Sequence, residues 1–168
     1  MGSHRMVTKQ VSFYEEMTNV PFIIAGPGIH PRQKPVEDLL TQPTIDLLPT
    51  LCELAGIPVP SSKPGISLAP FLKGEKQKRQ HPYAASEWHS EYEVTVSPGR
   101  MIRSPRYKYT HYLEGNGEEL YDMLKDKGER RNLAHDPKYS KILAEHRALL
   151  DDYIRRCLLY TSDAADEL

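Results

Sequence analysis

The chain has 168 residues, of which 39% are hydrophobic and 27% charged, a composition that permits the apolar core of a globular protein. Lys and Arg total 22 against 23 Asp and Glu, so the formal net charge of −1 excludes a protein that binds nucleic acid through a strongly basic surface. No apolar run is long enough to cross a bilayer, the first residues do not resemble a signal peptide, and two cysteines are too few for a disulfide framework.

The first elements along the chain are a short helix and an apolar run. Ser12 and Glu15 have the spacing of a capping box, which predicts that a helix begins here. Residues 20–25 are apolar on both faces and are closed by Gly-Pro-Gly at residues 26–28. Because such a run is typical of a covered parallel strand, we expect a strand whose neighbours come from the rest of the chain or are missing.

Two helices are predicted next. Leucines recur at helical spacing from Asp46 onward, so we expect a helix that begins near Asp46, carries Pro49 in its first turn and ends at Gly56. Cys52 lies on the apolar face of this helix and is interpreted as a small core residue. Ser67 predicts the start of a short helix over residues 68–72.

The second half of the sequence alternates short strands with turn signals. The strands are predicted at residues 83–88, 100–103, 107–112 and 119–123. Asp136 followed by Pro137 then predicts a helix over residues 136–154, whose apolar face contains Ile142, His146, Leu149, Leu150 and Tyr153. We expect a small antiparallel sheet with this helix laid across it.

Familiar catalytic motifs are absent from the sequence. It contains no phosphate-binding loop, no GxSxG elbow, no HExxH zinc motif and no paired CxxC. The seven histidines are scattered without the spacing of metal ligands. The residues by themselves therefore assign no reaction.

Four segments, in their order and separation, resemble the C-terminal part of the type I sulfatases, which belong to the alkaline phosphatase superfamily. The segments are residues 2–28, residues 44–56, residues 65–74, and residues 100–108 with 119–122 and 128–134. The resemblance implies the end of a large α/β catalytic domain over residues 1–75, followed by a smaller α+β domain over residues 76–156, an antiparallel sheet with a C-terminal helix. This smaller domain is similar to the C-terminal domain of sulfoglucosamine sulfohydrolase. Residues 157–168 depart from the pattern and resemble the translation of a transposase sequencing-library adapter, so we interpret them as a disordered or non-native tail.

The resemblance implies hydrolysis of a sulfate ester, with a sulfated small molecule or glycan as substrate. In the family a formylglycine, made from Cys or Ser in a C/S-x-P-x-R motif, attacks sulfur beside a divalent cation that is usually calcium. Neither Cys52 nor Cys157 is followed by the Pro and Arg of that motif. The family's metal ligands precede the first segment, so we expect the formylglycine and the calcium ligands to lie outside this chain and the chain alone to be inactive.

Three residues are site candidates by the same resemblance. Lys9 matches the lysine that contacts the sulfate and the leaving oxygen, and its alternative is an ordinary surface lysine. His4 matches a variable position and could bind substrate, as could His89, which follows a strand; both could equally be structural or exposed.

Two other functions stay open. The parent could be a phosphonate or phosphate-ester hydrolase of the same superfamily, or the chain could be a non-catalytic glycan-binding or accessory module. We expect neither nucleic acid nor a membrane as partner, and the sequence leaves the oligomeric state open. Since family members are often exported, the resemblance implies a periplasmic or secreted parent.

Overall fold

The computed structural model describes residues 4, 12–32, 34, 36, 39–60, 64–76, 81–89, 98–113, 115 and 117–165, with the backbone alone at 158–165. The chain divides into two compact units. The sheet unit comprises Met1–Val20 with Ala85–Leu168. The α2 unit, named for the helix α2 (Pro43–Ala55), comprises Pro21–Ala84. The predicted boundary between residues 75 and 76 divides the catalytic domain of a longer enzyme from its smaller C-terminal domain, and it stays a prediction.

The sheet unit contains four antiparallel strands in the order β1-β2-β3-β4. They are β1 (Ala84–Trp88), β2 (Gly99–Arg103), β3 (Tyr107–Tyr112) and β4 (Glu118–Asp122), each within one residue of its predicted start and end. In the register, Lys108 of β3 lies opposite Arg103 of β2 and Tyr121 of β4. The predicted antiparallel sheet is confirmed.

One face of this sheet is covered by the last helix. Asp136 accepts a hydrogen bond from the Lys138 amide, a single 3-10 turn spans Pro137–Tyr139, and α4 then spans Ser140–Ala165. The ring of Tyr107 contacts that of His146 edge-on, and Arg147 pairs with Glu118. The hydrogen bonds from Arg147 hold the pKa of Glu118 down to about 2. The predicted cap is confirmed. Of the predicted apolar face, His146 and Leu150 are buried and the other three residues are half-buried, while the buried Leu143 was not predicted. The backbone helix continues past residue 154 into the segment interpreted as a tail, whose origin stays a prediction.

The opposite face of the sheet is covered by the segment around α1 (Glu15–Thr18). Phe13 is buried, and its ring lies 6.2 Å from that of Tyr112. The predicted capping box is wrong, because the residue before α1 is Tyr14 and no side chain of its own segment caps the helix. The Glu15 amide donates instead to the carboxylate of Glu129, 2.7 Å away, so the helix start is fixed by a residue distant in sequence.

The predicted strand at residues 20–25 is also wrong. This segment belongs to no helix or strand, and Val20 and Ile23 are exposed. A strand requires a neighbour that completes its ladder of backbone hydrogen bonds. No strand in the described part of the chain pairs with residues 20–25.

The α2 unit is built on α2 (Pro43–Ala55), which ends at Gly56 in a left-handed conformation as predicted. The helix begins three residues earlier than expected, so Pro49 lies inside it. Pro49 has no amide to donate to the carbonyl of Ile45. Gly65 packs so closely against that carbonyl that a Cβ atom would lie 1.9 Å from its oxygen. Cys52 is half-buried, so it belongs only partly to a core.

Polar side chains attach α2 to the following segment. Asp46 accepts hydrogen bonds from the Gln42 and Ile66 amides, both at 2.8 Å, and its Oδ1 lies 2.7 Å from Nε2 of His81. Thr50 donates to the Asp46 carbonyl and accepts from the Leu68 amide at 3.0 Å. The short helix α3 (Ala69–Leu72) follows, one residue later than predicted.

None of the helices in the described residues is both long and apolar enough to span a membrane.

Candidate functional site

A buried lysine organises the sheet face that contacts α1. Lys108 of β3 is almost fully buried, and its ammonium donates to the Phe13 carbonyl at 2.8 Å and to the Thr18 hydroxyl at 3.3 Å. The same ammonium lies 2.7 Å from Oε1 of Glu15 and 2.8 Å from Oε1 of Glu129. One side chain therefore binds both ends of the 13–18 segment.

Glu129 completes this network. Its carboxylate is buried, accepts from the Glu15 amide and pairs with Lys108, while its own backbone has a positive φ of 51°. Burial raises the pKa of Glu129, and the charge of Lys108 opposes that rise. Arg103 lies 4.0 Å from Glu15, and burial lowers its pKa. We call Lys108, Glu129 and Glu15 the lysine network.

Aromatic and acidic side chains continue along the same face. Tyr14 and Tyr112 both donate to the Glu119 carboxylate, at 3.3 and 3.1 Å. Burial, aided by the negative charge of Glu119, raises the pKa of both phenols. The ring of His4 stacks on Tyr14, with centroids 3.6 Å apart and planes within 3°.

One group of side chains could offer ligands to a metal ion. His4, Glu16 and Glu129 offer ligand atoms within 4.8 Å of one another, the one such group found among the described residues. Calcium prefers about six to eight oxygen ligands. This group has an imidazole nitrogen and two carboxylates, and the Lys108 ammonium already neutralises Glu129. The group does not fit calcium, and we assign no metal to it.

The three predicted site residues are not brought together by the described geometry. Lys9 lies outside the described residues. His4 lies on Tyr14 at the edge of the lysine network, and His89 is exposed directly after β1. Their roles stay predictions.

The lysine network was missed by sequence reasoning. Lys108 was expected only as part of the strand at residues 107–112, and no structural role was predicted for Glu129. Both belong to the last of the four sulfatase-like segments, which was the available signal. A charged residue in the middle of a covered strand is a further signal, because charged side chains are rarely buried without a partner. The arrangement fixes the 13–18 segment in place.

The chain belongs to the family described as N-sulphoglucosamine sulphohydrolase, C-terminal, whose model matches residues 2–156. The sulfatase resemblance drawn from the four segments is therefore confirmed.

One curated relative and two solved structures illustrate what this chain is similar to. The Delta 4,5-hexuronate-2-O-sulfatase of Bacteroides thetaiotaomicron is 78% identical over 156 residues, covering 93% of this chain and 32% of the relative. The solved structure of a 2-O GAG sulfatase matches with a TM-score of 0.86 and 78% identity, over 92% of this chain and 33% of that one. The solved structure of a protein in complex with its substrate D-glucosamine-2-N,6-O-disulfate matches with a TM-score of 0.59 and 27% identity, over 68% of this chain and 23% of that one. This chain thus spans about a third of the length of the 2-O-sulfatases that it matches at 78% identity.

Proposed function

We propose that this chain is the C-terminal part of a sulfatase that hydrolyses a sulfate ester of a carbohydrate, with a 2-O-sulfated hexuronate as the substrate class. The observation that carries the proposal is the 78% identity over 156 residues with a sulfatase of that specificity. The same identity favours a sulfate ester over the phosphonate or phosphate ester of the rival hypothesis. In this proposal the parent enzyme is exported, as members of the family often are.

Within the proposed enzyme, Lys9 binds the sulfate group and the leaving oxygen. An ammonium is a compact positive charge with three donors, which suits the oxygens of a tetrahedral anion. Charge that develops on the leaving oxygen is stabilised most by a donor that is already in place. Phe13 follows Lys9 by four residues, and the lysine network fixes the chain from Phe13 onward. This fixation supports the proposed role because the chain is anchored four residues after Lys9.

Calcium and formylglycine belong, in this proposal, to the part of the parent outside this chain. Calcium would neutralise sulfate oxygens when bound. Since the described residues do not fit calcium, no step of the reaction is assigned to a metal held by this chain.

The test is a chimera in which residues 2–156 of this chain replace the matched third of the Bacteroides thetaiotaomicron relative. We expect the chimera to release sulfate from an unsaturated hexuronate 2-O-sulfate, and the 168-residue chain alone to release none. Lys9→Ala should lower kcat/KM of the chimera by about 100-fold or more, the range seen when one charge-stabilising donor is removed. Lys125→Ala is the matched control, because Lys125 is exposed and lies outside the proposed site.

Two results would contradict the proposal. One is a folded chimera that hydrolyses a phosphonate monoester faster than the sulfate ester. The other is a folded chimera without turnover of either ester, which would favour a non-catalytic role for the chain.

A further inference from the structure

A short segment beside the sheet carries an excess of positive charge. Residues 130–141 contain one acidic residue, Asp136, and four that are Lys or Arg: Arg130, Arg131, Lys138 and Lys141. The segment is therefore positive, whereas the whole chain has a formal net charge of −1. All four of the cationic residues are exposed. We call these four residues the basic edge.

Hydrogen bonds attach this segment to β4, an edge strand of the described sheet. The Leu120 amide donates to Oδ1 of Asn132 at 3.0 Å, and Nδ2 of Asn132 donates to the Glu118 carbonyl at 2.9 Å. The amide of the buried Leu133 donates to the Leu120 carbonyl at 2.8 Å. The cations are thus carried by a backbone that is already fixed, so less conformational freedom is lost when they bind an anion.

Only one member of the basic edge is paired with an acid in the described part of the chain. The guanidinium of Arg131 lies 3.2 Å from Oδ2 of Asp136. The other carboxylate oxygen of Asp136 accepts from the Lys138 amide at 3.1 Å, so both oxygens of this acid are engaged. Arg130, Lys138 and Lys141 form no ion pair with any residue that the structure describes. Three exposed cations are therefore available to an external anion.

Acidic side chains of β4 and of the turn that follows it are directed elsewhere. Glu118 pairs with Arg147 of α4, and Asp122 pairs with Arg106. The carboxylate of Asp126 accepts from two backbone amides of the segment, at 2.8 and 2.9 Å. Because internal contacts occupy these carboxylates, the surface of the segment keeps its positive charge.

We propose that the basic edge binds a sulfated glycan chain, with Arg130, Lys138 and Lys141 contacting its sulfate groups. The proposal rests on the proposed function, which supplies a sulfated carbohydrate as the substrate. A guanidinium donates paired hydrogen bonds to an oxyanion, and an ammonium acts as a compact positive charge. Sulfates on successive sugars can contact several cations of one segment, which a single sulfate cannot do. Nucleic acid is disfavoured because the chain as a whole is not basic.

The test measures binding of a heparin decasaccharide to the chimera that carries residues 2–156 of this chain. Isothermal titration calorimetry should detect binding that weakens as NaCl is raised from about 50 to about 500 mM, because salt screens exposed charges. Arg130→Glu/Lys138→Glu should weaken the affinity by about tenfold or more, because each reversal replaces attraction for sulfate with repulsion. The neutral variant Arg130→Gln/Lys138→Gln should have an intermediate effect.

The matched control is Lys73→Glu/Lys76→Glu. It makes the same change in net charge at two exposed lysines of the α2 unit, outside the basic edge. We expect it to change the affinity by less than about twofold, because the contribution of a separate exposed charge is small.

A second measurement compares two substrates that have the same terminal sugar. One is an unsaturated disaccharide whose hexuronate carries the 2-O-sulfate, and the other is a sulfated decasaccharide that ends in this disaccharide. Arg130→Glu/Lys138→Glu should raise the ratio of the decasaccharide KM to the disaccharide KM by about tenfold, because it removes binding energy that only the long chain uses. A structural defect would lower kcat for both substrates and leave this ratio unchanged.

The outcomes separate this proposal from the proposed function. Equal affinity of Arg130→Glu/Lys138→Glu and Lys73→Glu/Lys76→Glu for the heparin decasaccharide, or an unchanged KM ratio, would overturn the basic edge. Equally tight binding of a DNA duplex of the same charge would overturn it in favour of a general attraction for polyanions. Decasaccharide binding that depends on the basic edge, without sulfate release from either substrate, would contradict the proposed function and leave the basic edge supported.

Discussion

Gly65 lies against α2 at a distance that leaves no space for a side chain. An added Cβ would lie 1.9 Å from the Ile45 oxygen and 3.0 Å from Cγ of Pro49. Because the first of these atoms belongs to helix backbone, Gly65→Ala should push the segment away from α2 and destabilise the α2 unit by about 1–3 kcal/mol. Amide hydrogen exchange by mass spectrometry should then be faster over residues 43–55 and unchanged over β3.

Gly128→Ala is the control for this experiment. The nearest atom to a Cβ at Gly128 is 3.7 Å away, an ordinary contact, and its exchange pattern should stay close to that of the unmodified chain. Equal exchange in the two variants would contradict the steric explanation.

His146 makes the stability of the sheet unit depend on pH. Its Nδ1 must donate to the Ile142 carbonyl, so the neutral ring accepts at Nε2 from the Ser104 hydroxyl, 2.9 Å away. Burial lowers the pKa of His146 below the ordinary value of 6.5. The unfolded chain therefore binds this proton more readily, and the contribution of His146 to stability is complete above pH 6.5 and declines as the pH falls through and below that value.

The measurement is urea unfolding at pH 7.5 and 5.5, followed by the fluorescence of Trp88, the only tryptophan. We expect the loss of stability between these pH values to be smaller in His146→Gln than in the unmodified chain. An equal loss in both would show that other groups cause the pH dependence.

At the scale of elements, the lysine network joins α1 to the sheet. Lys108→Met would leave the buried Glu129 carboxylate without its cation, a change that costs about 3–5 kcal/mol when a buried ion pair loses one partner. Unfolding followed by Trp88 fluorescence should show this loss. Lys108→Met/Glu129→Gln should recover part of it, because no charge at position 129 is then left unpaired.

Lys125→Met provides the matched control, since Lys125 is exposed and surface substitutions usually change stability by less than about 0.5 kcal/mol. If Lys108→Met were as stable as this control, the network would not hold α1 on the sheet.

The sequence correctly predicted those helices and strands that are determined by residues close to them in the chain. The strands between residues 84 and 122 were found within one residue of each end because turn signals bound them and the strands lie next to each other in sequence. Asp136 was recognised because its cap acts on an amide two residues away. These elements depend on contacts that the sequence shows directly.

The predictions were wrong where a residue distant in the sequence determines the local structure. Ser12 was expected to cap α1, but the cap comes from Glu129, which no short-range spacing indicates. Pro49 was expected in a first turn, yet α2 begins earlier and accommodates it beside Gly65. The resemblance identified the family, whereas the lysine network required the sheet register that places Lys108 beside Glu15 and Glu129.

At the scale of the whole molecule, apolar burial is unequal between the two units. The sheet unit buries ten hydrophobic residues of those described: Phe13, Met101, Ile102, Tyr109, Leu120, Tyr121, Met123, Leu133, Leu143 and Leu150. The α2 unit buries four and exposes more large apolar side chains than it buries. We therefore expect the 168-residue chain, expressed alone, to be poorly soluble and to associate without a defined stoichiometry, because exposed apolar patches promote aggregation.

The exposed leucines of α2, which are Leu47, Leu48 and Leu51, should account for much of that association. Transfer of these side chains out of water is favourable, so Leu48→Asp/Leu51→Asp should raise the soluble fraction and shift the sedimentation profile toward the monomer. Leu124→Asp replaces an exposed leucine of the sheet unit with a negative charge, and it should shift the profile far less because it leaves the α2 leucines intact. An unmodified chain that stays monomeric at high concentration, or an equal gain from Leu124→Asp, would mean that the exposed leucines do not control association. A gain confined to the α2 variant would connect the exposed leucines of one helix to the association of the whole chain.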